Sequence, residues 1–185
     1  RADVIRYDSP TFAGFVASAS WASGNVNDDV WDVALRYAGE FSGFKVLAAG
    51  SYRNGIVVNN SGSSFVITDN NGLDLDTWVA VGSVQHVASS IFVTGMYGSG
   101  DGAIAGTPKG AVDTRGWSVT VGIEPKLFAI GKTTFFAEMG DVTAEAKWTA
   151  ACGGGCSYGE VLAFEGEYFG GGIVQAIDGA AADLY

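Results

Sequence analysis

From Val30 to Ala38 the chain reads Val-Trp-Asp-Val-Ala-Leu-Arg-Tyr-Ala, which puts Trp31, Val33, Leu35 and Tyr37 on one side of an extended backbone and Asp32, Ala34 and Arg36 on the other. A period of two dictates strand rather than helix, because successive strand side chains point to opposite faces. The period recurs. Trp117, Val119, Val121 and Ile123 alternate with Ser118, Thr120, Gly122 and Glu124, and Phe44, Val46, Ala48 and Tyr52 alternate with Lys45, Ala49, Ser51 and Arg53. The pattern predicts an all-β chain of about ten strands in one antiparallel meander.

One buried face is common to a sheet on a second sheet and a sheet against lipid, so alternation alone does not choose. Strand length and aromatic placement do. The extended runs are 13–21, 31–38, 43–53, 76–87, 115–124, 132–141 and 161–174. They average about ten residues; a tilted strand needs about 9–11 to cross a bilayer, whereas globular strands average about 5–6. Phe15 and Trp21, Trp31 and Tyr37, and Phe44 and Tyr52 stand at opposite ends of their runs, with small or aliphatic residues between, and Trp117 stands near the start of its own. Membrane barrels carry such aromatic girdles at both interfaces, whereas a sandwich places its aromatics centrally. The expectation is a transmembrane β-barrel with these seven residues as the girdle.

Composition fits a wall wetted on one side. The mean hydropathy of +0.21 is diluted by the water-facing half of each strand, and 28 Gly accompany only 3 Pro. The stretch 77–100 has no formal charge, which suggests a transmembrane helix. Gln85, His86, Ser89 and Ser90 at its centre, with Gly82, Gly95 and Gly98, argue instead for two strands joined by a tight turn at 88–90.

Connections of two kinds alternate. Short ones follow Tyr7, Tyr37, Val87, Glu124 and Gln175; long, polar, Gly-rich ones are expected over 23–29, 54–73, 99–114 and 142–160. Short periplasmic turns opposite long outer loops are the asymmetry of a bacterial outer-membrane barrel. Two short turns also repeat one local sequence, a Tyr followed by a polar segment and Phe-x-Gly-Phe, at 7–15 and 37–44.

The segments 4–15, 31–44, 82–87 and 172–178 resemble the general porins of alphaproteobacteria, and the likeness runs over essentially the whole chain. It implies a homotrimer of 16-stranded barrels in outer-membrane lipid, passing ions and small hydrophilic solutes by passive diffusion, with no cofactor or catalysis. On that reading the chain is an internal piece of one barrel domain spanning 1–185, without a signal peptide or a closing C-terminal strand. The residues lining the pore are expected on the polar stripes: Arg6, Asp32, Arg36, Lys45, Arg53, Glu124, Glu138, Glu165 and Glu167. Permeation asks only for pore width and the field of wall charges.

The net charge of −10 leans toward cations and against nucleic acid, which wants a basic surface. Cys152 and Cys156 enclose three glycines in what would be an outer loop, and an oxidising outer surface points to a disulfide. A metal clip there would need further ligands, and the single His is His86. The run 98–102 mimics a phosphate loop without a following helix, and the acidic run 69–76 misses the calcium-loop spacing. Two other functions compete with the channel. One is a lipase-like barrel enzyme built on His86 and a nearby Ser; the other is a β-sandwich binding module with Trp31, Val33 and Leu35 packed on a second sheet.

Overall fold

The computed structural model describes residues 4–23, 29–57, 73–104, 111–151 and 157–184. They form ten strands: β1 (Val4–Asp8), β2 (Phe15–Ala22), β3 (Val30–Phe41), β4 (Phe44–Val57), β5 (Leu73–His86), β6 (Ile91–Ile104), β7 (Ala111–Ile123), β8 (Thr133–Ala151), β9 (Ser157–Ile177) and β10 (Ala182–Leu184). All belong to one sheet in chain order, and each strand runs antiparallel to the next. The expected all-β meander of about ten strands is therefore what the chain forms. The sheet does not close on itself: β1 and β10 are its two edges.

Repeated Phe-x-Gly-Phe makes two of the reversals. Phe12 and Phe15 exchange backbone hydrogen bonds at 2.9 and 2.8 Å, and Phe41 opposes Phe44, so each hairpin turns in two residues. Ala13 and Gly14 have φ of 49° and 87°, and Ser42 and Gly43 have 49° and 81°. Positive φ at both positions is the turn whose twist matches the flanking strands, and glycine takes it without a Cβ penalty. The uncharged stretch over 77–100 is the β5–β6 hairpin, reversed through a turn over 87–90, so the helix reading fails as expected.

Of the connections expected as long loops, 99–114 and 142–160 are in large part strand, and 54–73 is strand at both ends. β4 and β5 stay paired out to Val57 and Leu73, β6 and β7 out to Ala103 and Ala111, and β8 and β9 out to Ala151 and Ser157. Glycine and charge lower the strand propensity of these segments, but a ladder already in register continues through backbone hydrogen bonds whatever the side chains prefer. Cys152 and Cys156 lie outside the described residues, as does the first half, 69–72, of the acidic run 69–76.

No hydrophobic side chain is buried among the described residues, and Ile5, Leu35 and Phe169 are 69%, 52% and 90% exposed. Among the described residues Trp31, Val33 and Leu35 thus meet no second sheet, contrary to the sandwich expectation. Exposed apolar surface on this scale is what marks a face that meets a partner or a membrane.

Candidate functional site

Residues directly opposite in a ladder share a face, so the register sorts every strand side chain onto one of two sides. All seven expected girdle residues, Phe15, Trp21, Trp31, Tyr37, Phe44, Tyr52 and Trp117, fall on one of them. They lie in two bands. Toward the short turns stand Phe15, Tyr37, Phe44 and His86, continued by Ile91, Ile123 and Phe135. Toward the other end stand Trp21, Trp31, Tyr52, Trp78, Tyr97 and Trp117. Neighbours within a band touch: ring centroids are 4.7 Å apart for Phe15–Tyr37, 5.0 Å for Phe44–His86, 5.3 Å for Trp31–Tyr52 and 5.1 Å for Trp78–Tyr97. Between the bands are Ala, Gly, Val and Leu, as in Ala17, Leu35, Gly50, Val93 and Val119. The facing of 77–87 and 91–98, ambiguous in a sequence small or apolar on both sides, is settled by this register.

The bands do not run parallel to the hydrogen bonds. Followed across the ladders from β2, the position of Phe15 reaches Val119 on β7 and that of Trp21 reaches Asp113. On β7 the bands lie instead at Ile123 and Trp117, each four residues nearer the short turns. Four residues are about 13 Å of rise and five strand spacings about 24 Å, so strands must lean about 30° from the normal of the slab between the bands. Barrel strands tilt about 35–45°. At that lean the separation of six to eight residues between bands corresponds to a slab about 17–23 Å thick, near the roughly 25 Å apolar height of a barrel.

The opposite face carries charge. Arg6, Asp32, Arg36, Lys45, Arg53, Glu124 and Glu138 share it, as expected. Glu165 and Glu167 do not: the register pairs Glu167 with Asp141, itself opposite Trp117, and Glu165 with Thr143, opposite Arg115. Both glutamates therefore stand on the aromatic face, at and beyond the Trp117 band. β9 carries aromatics at both parities, Phe164 and Tyr168 on one side and Phe169 on the other, so alternation within the strand could not assign it. Pairing to Met139 and Phe135 does. Farther from the short turns, Asp76, Asp101, Asp113 and Glu145 follow one another across four strands of the aromatic face. Tyr52 and Asn54 donate to the Asp76 carboxylate at 2.8 and 2.7 Å.

On the polar face the charges are tied together across strands. The Asp8 carboxylate accepts from Arg6 at 2.9 Å, from Arg36 at 3.0 Å and from the Ser18 hydroxyl. Ser20 donates to Asp32. Thr120 donates to Glu138 at 2.9 Å, and Ser83 and Thr94 share a hydrogen bond at 2.8 Å. Lys45 and Arg53 take part in none of the three ion pairs among the described residues. Lys45 borders a hollow of about 500 Å³ that crosses β3 to β6, with Glu40, Ser83, Gln85, Thr94 and Glu124 around it. Asp8, Glu40 and Gln85 were not picked out in the sequence, although parity counted from Arg6, Arg36 and Lys45 puts the first two on the polar stripe.

Glu124, just beyond β7, closes the short-turn end of this face. Partial burial would raise its pKa, but hydrogen bonds from Lys132 at 2.9 Å and Gln85 at 3.0 Å outweigh burial and hold it below the usual glutamate range. A depressed carboxylate stabilises the fold above its unfolded pKa, and that contribution disappears as pH falls through the lower folded value. The urea midpoint of refolded protein should therefore drop as pH falls below about 4, with a shallower drop in Glu124→Gln. Equal slopes in the two proteins would show that the contact does not couple to folding.

His86 sits at the short-turn rim of the aromatic face, its Nδ1 2.8 Å from the Ser89 hydroxyl. No described carboxylate or amide is hydrogen-bonded to its ring, and Ser89 is three residues away in the same turn. A hydrolytic set needs a third group to orient the imidazole. No family model, curated protein or solved structure matches the chain.

Proposed function

We propose that the chain forms the wall of an outer-membrane porin, a water-filled channel for passive diffusion of ions and small hydrophilic molecules. The observation that carries the reading is the pair of aromatic bands on one face, slanted across the strands at a barrel-like angle, behind a face of cross-linked charges. The bands mark where headgroups meet hydrocarbon, and the small residues between them face acyl chains. Arg36, Lys45, Arg53 and Glu138 then line water, where fixed charges shape the field felt by a passing ion.

We propose further a homotrimer with more strands than the ten described, which is what the resemblance of segments 4–15, 31–44, 82–87 and 172–178 to general porins implies. Planar-bilayer recording of the full-length protein tests the proposal. Stepwise openings in threefold units are expected, and the reversal potential under a salt gradient reports ion preference. Folded, inserted protein without conductance would overturn it.

A lipase-like enzyme on His86 and Ser89 is the weaker reading, because the ring lacks an orienting partner among the described residues.

A further inference from the structure

Aromatic residues are out of place on a water-filled wall, yet four described ones stand on the polar face. Among described side chains they are Phe92 on β6, Phe136 on β8, and Phe164 and Tyr168 on β9; the polar faces of β1 to β5 and of β7 hold none. Each ring lies over a glycine. A Cβ built on Gly122 would fall 2.5 Å from the Phe92 ring, one on Gly140 2.7 Å from Tyr168, one on Gly172 3.0 Å from Phe136, and one on Gly166 3.1 Å from Phe164. Bare backbone lets each ring settle against the wall and leave its outer π face to the lumen. Tyr168 and Phe164 are 46% and 60% exposed there.

The rings form a line. Phe92 and Phe136 share one row across the sheet, Phe92 opposite Gly122 and Gly122 opposite Phe136, near the short turns. Tyr168 opposes Gly140, four residues farther along β8, and Phe164 opposes Ala144, four farther again. Each step is about 13 Å of backbone, and with the Phe164 ring lying back over Gly166 the rings cover about 20 Å along the strands. Hydroxyl-binding groups stand between the rings. Glu138 lies midway from Phe136 to Gly140 on β8 and accepts from Thr120, and Ser118 opposes Gly140.

We infer that this line is a binding track for an oligosaccharide, a chain whose successive units offer an apolar C–H face to a ring and hydroxyls to a carboxylate. A cation cage needs several ring faces around one point, whereas Phe136, Tyr168 and Phe164 spring from three separate rows of the ladder, four residues apart. An anion would meet Glu138 with no described cation on the track itself. The inference rests on the channel reading, since only a water-filled lumen brings solute to this face.

Maltohexaose added to a conducting bilayer tests it. Concentration-dependent, saturable block of the ion current is expected. Phe164→Ala and Tyr168→Ala should each raise the half-blocking concentration about five- to tenfold, with Tyr168→Phe near wild type. Conductance without sugar block in the wild-type protein overturns the track and leaves the porin standing; so does block by spermine but not by sugar. No conductance at all overturns the porin reading itself. The wild-type recording decides even where a variant fails to insert.

Discussion

Val93→Arg is expected to destabilise the lipid-inserted protein by about 2–4 kcal/mol, the cost of a cation near the middle of a barrel's apolar band. Val93 is 48% exposed on the aromatic face, between Ile91 of the short-turn band and Tyr97 of the other, with Val84 and Val121 directly opposite. Thr94→Arg, one residue along the same strand, turns its guanidinium to the polar face. It loses only the hydrogen bond with Ser83, at a cost of about 1 kcal/mol or less. Urea unfolding from lipid vesicles measures both. The contrast between adjacent residues is the informative quantity, because a sheet wetted on both faces would tolerate both arginines. A larger cost at Thr94 than at Val93 would reverse the assignment of faces.

Gly122→Ala should cost about 1–3 kcal/mol by overpacking. The new methyl would stand 2.5 Å from the Phe92 ring and 2.6 Å from the Phe135 carbonyl oxygen. The ring could swing away, but the carbonyl belongs to the next strand's backbone and moves only with it. Gly170→Ala meets nothing within 4 Å and should fall within about 0.5 kcal/mol of wild type. Chemical unfolding of the two variants separates steric cost from a general penalty for removing a strand glycine. Equal effects would show that the close approach over Gly122 does not limit stability.

Both comparisons depend on knowing which way a residue points, and that knowledge came in unequal measure from the chain. Where a strand alternates strongly, as in Trp31, Val33, Leu35 and Tyr37 against Asp32 and Arg36, facing is a property of that strand alone and reads directly from its residues. The two-residue reversals are equally local: Phe-x-Gly-Phe with a glycine able to take positive φ needs no distant partner. Strand number, sequential pairing and the polar placement of Arg6, Arg36, Lys45, Arg53 and Glu138 follow from the same local patterns.

Other features lie in no single strand. Glu165 and Glu167 look like wall charges until Met139 and Phe135 take their places opposite Phe169 and Ile173, because β9 is aromatic at both parities and only its neighbour's register breaks the tie. The slant of the aromatic bands appears only when five ladders are laid side by side. The sharing of Asp8 between Arg6 and Arg36 joins residues 28 apart in the chain through β2, which alternation cannot foresee. Ladder continuation past the bands likewise overrode the glycine and charge that suggested loops. Amphipathic period and turn chemistry were thus determined by the sequence itself, being short-range sterics and solvation. Register, tilt and cross-strand pairing were decided by the tertiary structure, since each depends on how separate strands align.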